Sequence, residues 1–583
     1  MGKVPPGLIY LNKVLPYLLW PSLATYGIFR GIGKVLDTHA PTWFSVASLI
    51  LARPVLTTLQ TRYKHYQDRK AAESQGAVLA PHLPDSPILL IKAIFKSINK
   101  GYPGDLVDHF ADRLGHTLSF DRLTSRTIIT RDPDLVKAVL ATQFESFEKG
   151  SEFIGQMDSI LGNGIFNVDG EMWKFHRAMT RPFFTRERIS DFEIYGRNCD
   201  LSLDLAKQRT REGEPIEFQD LASRFTLDAA SEFLFGYNVS SLKAGIPYPP
   251  PSSHKTPTSF ASHPSNVFVR AFTLAQTWAI ERTALGNDWP LREFWKDTVS
   301  PLRKVMDDFT EPLMKESISK WEQEKAEGQV ENEEEDLNLL AHLVRHTQDP
   351  KILQDELVNL LVAGRDTTAG LITFSLYMIT QHPDVEQRLR QEILEKVGPD
   401  AAPAYASMRD MKYMRAFLNE VLRMYPPVPL NTRCSNTAIL VPSKVQGEKP
   451  LYIPANTNVL YGAINIHRRK DLWGPDALEF DPMRFIDSRV NKYLTPNPYI
   501  FCPFNAGPRI CLGQQFAYHE ATFYLVRLLQ RFKNFKLDDR YNTSPPAEWK
   551  TSTDGTESRE KIHPATTLTL FIKGGLWVNM EEV

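Results

Sequence analysis

The spacing of apolar residues along the chain predicts mostly helices. Helical spacing runs through residues 189–211, 218–236, 298–327, 351–382 and 513–532, while strand-like alternation is short and clearest at 451–462. Long helical segments with few strands are typical of an α-rich α+β fold. We therefore predict a mainly α protein, with a single large helical domain and a small β-sheet region.

The first seventy residues follow a different pattern. Residues 14–29 form a run of sixteen without a charge, and residues 40–52 form a run of thirteen. Each run is shorter than the roughly 20 apolar residues that cross a bilayer. A basic segment at 62–70 follows them, as expected beside the cytoplasmic face of a membrane. We predict a membrane anchor at 1–70, a proline-containing hinge at 71–87 and a catalytic domain at 88–583.

Two other interpretations of the first seventy residues stay open: a cleaved signal peptide, or two ordinary buried helices. A signal peptide is disfavoured because no clear small-residue cleavage site follows one compact apolar core. The pattern also leaves open whether these segments span the bilayer once, span it twice or lie in its plane.

Two segments interrupt the helical pattern of the predicted domain. Residues 244–265 are rich in proline and serine, so we expect a mobile surface loop. Residues 327–336 are strongly acidic, so we expect a solvated loop there.

Composition excludes some classes of protein. The chain has 68 Lys and Arg against 69 Asp and Glu, a net charge of -1, so no basic excess marks it as a nucleic-acid binder. Its four cysteines contain no C-x-x-C pair. That spacing disfavours a zinc ribbon or a disulfide framework and favours a reducing compartment.

One cysteine, Cys511, lies in the stretch FNAGPRICLG. An isolated cysteine is usually a buried apolar residue, and a nucleophilic one needs a histidine base, either His519 or a distant one. Neither interpretation explains the flanking Gly507 and Gly513. A thiolate bound to haem iron does, because glycines leave room for a porphyrin and Arg509 offers a cation to a propionate. The helix that follows would also direct free N–H groups at the sulfur.

The spacing F-x-x-G-x-R-x-C-x-G resembles the signature of the cytochrome P450 family, and the resemblance extends over residues 85–583. It implies haem b as the cofactor and Cys511 as the ligand of its iron. The candidate haem contacts in this stretch are Phe504, Gly507, Arg509, Cys511 and Gly513. Motifs such as AGRDTTAG are most similar to the fungal branch of the family that hydroxylates alkanes and fatty acids.

Further candidate haem contacts lie upstream. In DGEMWKFHRAM, Trp173 and Arg177 are four residues apart, on one face of a helix, and each can donate a hydrogen bond to a propionate. The resemblance supports this role and adds Arg433, in PPVPLNTR, as a third propionate partner.

A second pair has a structural interpretation. Glu420 and Arg423, in NEVLRMYPPVP, are three apart on a helix and close enough for an ion pair. The resemblance adds Arg484, in DPMRF, and implies a Glu-Arg-Arg network that supports the fold and takes no part in catalysis.

The stretch LLVAGRDTTAGLITF lies inside the long helix predicted at 351–382. Gly364, Thr367 and Thr368 are poor helix formers for the centre of such a helix. In the family pattern A-G-x-D/E-T the helix opens locally and Gly364 lets substrate and dioxygen approach the backbone. The resemblance makes Asp366 and Thr367 the catalytic residues, which deliver protons during oxygen activation.

The resemblance implies a membrane-bound monooxygenase with O2 as co-substrate. The lipophilic substrate would be a fatty acid or alkane, or else an aromatic or xenobiotic compound. Electrons would come from NADPH through a separate NADPH-cytochrome P450 reductase, because the sequence contains no dinucleotide-binding fingerprint. We expect the enzyme at the endoplasmic reticulum membrane, in contact with lipid, with its catalytic domain in the cytosol.

The reductase would dock near Cys511 on a basic surface formed by Lys174, Arg527, Arg531 and Lys533; a merely solvated basic helix face is the alternative for each. Two other functions share the predicted iron ligand. One is a haem-thiolate isomerase or dehydratase that acts on a peroxide, which needs no acid-alcohol pair. The other is a non-catalytic haem-binding protein.

Overall fold

The computed structural model describes residues 4–37, 41–122, 125–185, 192–327, 338–444, 447–552 and 555–583. Within these ranges the chain is mainly helical with small sheets, which confirms the predicted fold class. Two helices precede the main domain: α1 (Pro6–Leu36) and α2 (Thr42–Ser74). The helices of the main domain are α3 (Pro87–Lys100), α4 (Asp105–Leu114), α5 (Pro133–Lys137), α6 (Gly150–Leu161), α7 (Gly170–Thr180), α8 (Phe192–Arg211), α9 (Phe218–Phe235), α10 (Pro264–Leu285), α11 (Ser300–Ala326), α12 (Leu339–His346), α13 (Pro350–Gln381), α14 (Pro383–Lys396), α15 (Tyr405–Asp410), α16 (Lys412–Met424), α17 (Ala463–Ile466), α18 (Lys470–Trp473) and α19 (Gln514–Arg531).

The strands form small sheets at the edge of the helical body. They are β1 (Thr117–Asp121), β2 (Arg126–Thr130), β3 (Phe147–Glu148), β4 (Ile216–Glu217), β5 (Leu430–Ser435), β6 (Ile439–Val441), β7 (Leu451–Ile453), β8 (Asn458–Gly462), β9 (Phe532–Leu537), β10 (Pro564–Thr566), β11 (Leu570–Ile572) and β12 (Trp577–Glu582). The largest sheet has the order β1-β2-β8-β5-β3, and its β2–β8 pair is parallel while the other pairs are antiparallel.

The long helices predicted from apolar spacing are found as α8, α9, α11, α13 and α19, and their described ends lie within two residues of the predicted ones, apart from residues 189–191, which lie outside the described residues. Their starts follow local chemistry. The Asp349 carboxylate accepts a hydrogen bond from the Lys351 N–H at 2.8 Å and caps α13, and Glu217 caps α9 in the same way. The predicted strand at 451–462 is instead two strands, β7 and β8, which belong to different sheets.

Helix α13 is the centre of the domain. It packs against α9, α11, α16 and α19, and its own apolar side chains, such as Leu357, Ile372 and Phe374, are buried in these contacts. Its 32 residues give a length of about 48 Å. Any functional group on its central turns is therefore held in a fixed position deep inside the molecule.

The anchor region is an α1–α2 pair with bare apolar surfaces. Helix α2 is long and apolar enough to cross a membrane, and none of its most apolar window is buried. Helix α2 continues without a break past the predicted boundary at residue 70 and ends at Ser74. The predicted hinge is also fixed to the domain: the Val78 and Leu83 N–H groups donate to the Pro450 and Ser119 carbonyls at 2.9 and 2.7 Å.

The insert at 244–265 lies on the surface, as predicted, but it is attached to α8. The Tyr248 ring stacks on the guanidinium of Arg209 at 3.2 Å, and Lys255 forms an ion pair with Glu214 at 2.8 Å. These contacts tie the insert to the end of α8, so it is not the free loop that its composition predicts. Nearly all of the acidic segment at 327–336 lies outside the described residues.

Glu420 and two arginines form a buried cluster at the end of α16. The Arg423 guanidinium donates two hydrogen bonds to the Glu420 carboxylate, at 2.7 and 2.8 Å, and Arg484 Nε lies 3.5 Å from the same carboxylate. All three side chains are at most 1% exposed. Arg423 also donates to the carbonyls of His467 and Ala477, so the cluster joins α16 to the loops that follow α17 and α18.

Replacement of Glu420 by Gln should destabilise the protein by about 3–5 kcal/mol, because it leaves two buried guanidinium groups without their shared carboxylate. Chemical denaturation of the purified protein measures this change. Asp308→Asn, which breaks the exposed Lys304–Asp308 pair, is the control and should leave stability unchanged. Equal effects of the two substitutions would contradict the role assigned to Glu420.

Candidate functional site

Cys511 lies between a short helical turn at Gly507–Arg509 and the start of α19. Its N–H donates to the Phe504 carbonyl at 3.0 Å, which folds the stretch back on itself. The thiol is exposed to open space, yet burial raises its pKa, against the opposing effects of the Gly513 N–H and Arg177. The thiol is therefore accessible, yet many protein atoms lie close to it.

The glycines near Cys511 make close contacts with the protein itself. Gly507 has φ of 67°, and a Cβ there would overlap the carbonyl oxygen of Leu140. The backbone conformation and this close approach to Leu140 both require glycine at 507. A Cβ at Gly513 would make ordinary contacts with Phe184 and with the Cys511 sulfur, at 3.6 and 3.9 Å. Gly513 acts instead through its N–H, which is directed at the thiol.

The predicted haem contacts from α7 lie beside this stretch. The Arg177 guanidinium donates to the Ile510 carbonyl at 2.7 Å and interacts with the Cys511 thiol. The ring of Trp173 lies 4.6 Å from the Arg509 guanidinium, in a cation–π contact. Helix α7 and the cysteine stretch therefore form one site, as their sequences predict.

Three cations are buried together next to Cys511. Arg509 donates to Asp169 at 2.6 Å, and its Nε has no hydrogen-bond partner. Burial, together with the nearby Arg433, lowers the pKa of Arg509 to about 10. Lys149, at the start of α6, is the third member: burial and then the charges of Arg433 and Arg509 hold its pKa well below the ordinary value.

This cluster fits the implied haem. Asp169 and the partly exposed Glu148 provide two negative charges beside the three buried cations. An anionic group would restore the charge balance and give Arg509 Nε a partner. Haem carries two carboxylates, and the residues that could hold them are Lys149, Arg433 and Arg509. Sequence reasoning missed Lys149, because a lysine in FEKG belongs to no distinctive motif.

The distal candidates lie in the middle of α13. The helix is continuous from Pro350 to Gln381, so the local opening expected around Gly364 is not found. The Thr367 hydroxyl donates to the Ala363 carbonyl at 2.7 Å. A Cβ at Gly364 would lie 2.8 Å from Ala230, so this glycine allows α13 to pack closely against α9. The approach of substrate to Gly364 stays a prediction, and helix packing is a second reason for a glycine at this position.

Asp366 is bound on two sides. Its carboxylate accepts hydrogen bonds from Arg365 at 2.5 Å and from Gln276 of α10 at 2.7 Å. Thr567, in the turn between β10 and β11, donates weakly to the same Gln276 at 3.4 Å. The acid is thus oriented by a small polar cluster that joins α13 to α10.

A buried carboxyl group on α19 was not predicted. Glu520 is fully buried, and burial raises its pKa well above the ordinary value, with the Thr368 hydroxyl as the opposing influence. It lies on the helix that follows Cys511, near Thr368 of α13, and neither of its carboxyl oxygens has a hydrogen-bond partner. A single acid inside the apolar run that forms the buried face of α19 was the signal available in the sequence.

The predicted docking surface is less basic than its sequence suggests. Arg531 forms ion pairs with Asp200 and Asp204 of α8, and Arg527 donates to the Asp400 carbonyl at 2.8 Å. Lys174 is paired with Glu171 at 2.8 Å, and Lys533 lies on β9 opposite Glu581. Acidic neighbours therefore offset much of this charge.

The alternative base for Cys511 packs elsewhere. The His519 ring lies edge-on to Tyr405 at 5.4 Å and to Phe192 at 6.0 Å. These contacts place the imidazole among aromatic rings of α8 and α15.

Comparison with known proteins identifies the family. The cytochrome P450 family model matches residues 81–553. Cytochrome P450 52A3-B of Candida maltosa is 35% identical over 511 residues, which cover 84% of this chain and 91% of that protein. Cytochrome P450 52A1 of Candida tropicalis is 33% identical over 555 residues, or 92% of this chain and 94% of that protein. Cytochrome P450 52A13 of Debaryomyces hansenii is 39% identical over 435 residues, or 72% of this chain and 78% of that protein. Together with the geometry around Cys511, these matches show that the chain belongs to the cytochrome P450 family of haem-containing monooxygenases.

Proposed function

We propose that this enzyme inserts one atom of O2 into a lipophilic substrate, a fatty acid or an alkane, with electrons from a separate NADPH-cytochrome P450 reductase. The observation that carries the proposal is the accessible Cys511 thiol beside the buried cations Lys149, Arg433 and Arg509. When bound, haem supplies the redox-active iron at which O2 is activated. The chain's own residues hold the cofactor, orient the reacting groups and move protons.

Cys511 supplies the thiolate ligand. The Gly513 N–H at the start of α19 and the Arg177 guanidinium both lower the pKa of the thiol and so favour the anion. Trp173 supports Arg509 through its ring, and Arg177 adds a further donor. We assign the propionates to Lys149, Arg433 and Arg509, with Trp173 and Arg177 as neighbours.

Thr367 and Asp366 are assigned to proton delivery. The Thr367 hydroxyl donates its single proton to the Ala363 carbonyl, and its oxygen lone pairs remain to accept a hydrogen bond; to pass a proton on, the hydroxyl would turn away from that carbonyl and be reprotonated. Asp366 is oriented by Arg365 and Gln276, and it can receive protons on the side of α10. Positioning of these two groups on one rigid helix is what a general acid needs.

The substrate class follows from two supports. The sequence motifs around Gly364 and Cys511 are similar to those of the fungal alkane and fatty-acid hydroxylases. The α1–α2 pair also presents an apolar surface suited to a bilayer. Lipophilic substrates concentrate in membranes, so an anchored enzyme takes them from that phase. We assign the protein to the endoplasmic reticulum membrane with its main domain in the cytosol, because basic residues follow the apolar runs.

Turnover separates this proposal from the two other haem-thiolate functions. With reductase, NADPH and ¹⁸O2 in reconstituted membranes, the product should contain one labelled oxygen atom and NADPH should be consumed. An isomerase or dehydratase would transform a peroxide without NADPH, and a haem-binding protein would give no product. A panel of fatty acids, alkanes and aromatic compounds, scored by the spin-state change on binding, tests the substrate class.

Cys511→Ser should abolish the thiolate-type absorption band of the reduced carbon monoxide complex, because an alcohol is a poor iron ligand. Cys502→Ser is the matched control, since Cys502 is a partly buried thiol whose pKa burial raises to about 12. That control should keep the band. A retained band in the Cys511 variant would rule out the assigned ligand.

Thr367→Ala should uncouple oxygen consumption from product formation. Loss of a positioned proton donor costs at least about tenfold in product formed for each NADPH oxidised. Thr380→Ala, which removes a similar hydroxyl one residue before the end of α13, should leave the ratio unchanged. Equal coupling in wild type and Thr367→Ala would contradict the relay.

Lys149→Met should weaken haem retention. Removal of one charged hydrogen bond to a carboxylate costs about 1.5–3 kcal/mol, so transfer of haem to apomyoglobin should become at least about tenfold faster. Lys174→Met, which removes an exposed lysine on α7, is the control. Identical transfer rates in the two variants would exclude Lys149 from the propionate site.

A further inference from the structure

The first turn of α1 is attached to the connection between α10 and α11. The Gly7 N–H donates to the Phe294 carbonyl at 2.9 Å, and the Tyr10 hydroxyl donates to Asp288 Oδ1 at 2.5 Å. Asp288 is 1% exposed, and a Cβ at Gly7 would overlap the Phe294 ring. The contact is therefore close and specific. At position 7, only glycine fits without a shift of the loop.

The segment 286–297 that receives α1 is internally rigid. Arg282, at the end of α10, donates to Glu293 at 2.7 Å and to Asp297 at 2.8 Å, and its guanidinium lies over the Trp289 ring at 3.9 Å. Arg282 is 2% exposed. The segment therefore moves with α10 as one unit, and a contact with Asp288 acts on the whole helix.

The other end of the anchor is attached to a different part of the domain. Asp68, near the end of α2, forms an ion pair with Arg126 of β2 at 3.0 Å, and His65 lies 3.0 Å from Asp121 of β1. These contacts are separate from those of α1. The start of α1 and the end of α2 are therefore both held against the main domain.

Between these attachments the helices run antiparallel. The Ser22 hydroxyl donates to the Leu49 carbonyl at 2.8 Å, and the rings of Phe29 and Phe44 lie 5.7 Å apart. Helix α1 has 31 residues and is about 46 Å long, so the end near Leu36 lies that far from the domain. The uncharged run of α1 at 14–29 is about 24 Å long, and the long side chains of Lys13 and Arg30 at its ends can reach the headgroups on either side of a hydrocarbon core of about 30 Å.

A lipid bilayer is the partner that fits the outer surface of the α1–α2 pair. Large apolar side chains point outward along both helices, with exposed fractions of 71% for Trp20, 68% for Ile50 and 60% for Leu23. Charged residues mark the two ends of the apolar part of α1, with Lys13 towards the domain and Arg30 towards the far end. Apolar side chains between charged ends match the hydrocarbon core of a bilayer between its two layers of headgroups.

We propose that α1 and α2 enter the bilayer as a hairpin that returns to the main domain, where the first turn of α1 latches the 286–294 segment. The latch consists of the Gly7–Phe294 and Tyr10–Asp288 hydrogen bonds. Because α10 also carries Gln276, which binds Asp366, the latch links the membrane hairpin to the helix that orients the distal acid. The proposal requires residues ahead of α1 to lie on the same side of the membrane as the main domain.

The first test concerns topology. An epitope tag placed ahead of Val4 is expressed in microsomes, and protease is added without detergent. We expect the tag to be digested along with the main domain. A tag that is protected until detergent opens the vesicles would overturn the proposal, because the start of α1 would then lie across the bilayer from Phe294.

The second test concerns the latch. Amide hydrogen exchange of the full chain in lipid nanodiscs should become at least about fivefold faster over residues 286–294 in Tyr10→Phe and in Gly7→Val. Tyr17→Phe is the matched control, because the Tyr17 side chain is 68% exposed on the outer face of α1, and it should behave as wild type. Tyr10→Phe also keeps the test decisive if Gly7→Val folds poorly. Unchanged exchange in Tyr10→Phe would overturn the latch.

Discussion

The excess of buried positive charge beside Cys511 constrains the rest of the site. Lys149, Arg433 and Arg509 lose their hydration when the chain folds, and that loss is costly unless anions accompany them. Asp169 offsets part of this cost and is itself fixed by the N–H groups of Lys149 and Gly150, at 2.8 and 3.0 Å. A cofactor with two carboxylates would offset more. In the proposed site, the group that brings the redox chemistry would therefore also complete the electrostatics of this region.

Helix α13 connects that region with the distal side through its buried polar residues. Asp355 accepts a hydrogen bond from the Asn163 N–H at 2.8 Å, and Glu356 accepts one from the Ile165 N–H at 2.9 Å. Asn359 accepts another from the Phe166 N–H at 3.2 Å. Side chains on successive turns thus hold the loop between α6 and α7, which leads directly to the haem contacts of α7. One helix sets the position of the loop and of the distal acid together.

The sequence predicts most of the helical body because apolar spacing and end caps act locally. It also predicts the Cys511 region and its α7 neighbours, since these residues lie in distinctive motifs. Lys149 and Glu520 escape prediction because each is a single charged residue whose burial depends on distant parts of the chain. The same limit applies to glycines: Gly364 has a distinctive motif, yet the residue it must avoid, Ala230, lies on another helix. The roles of these residues depend on tertiary contacts, which no local sequence pattern encodes.

The proposed haem site and the segment that contacts the membrane anchor lie in different parts of this molecule. Trp173, Lys149 and Arg433, which are assigned to the haem site, are buried within the domain, so the membrane has no direct way to alter them. The α10–α11 connection, in contrast, touches α1, and α1 touches lipid in the proposed hairpin. Bilayer thickness would act on the tilt of α1 and α2, because mismatched helices tilt to bury their apolar length. That tilt would pull on Asp288 and, through α10, on Gln276. Lipid composition would therefore alter the orientation of Asp366 while leaving the Cys511 region unchanged.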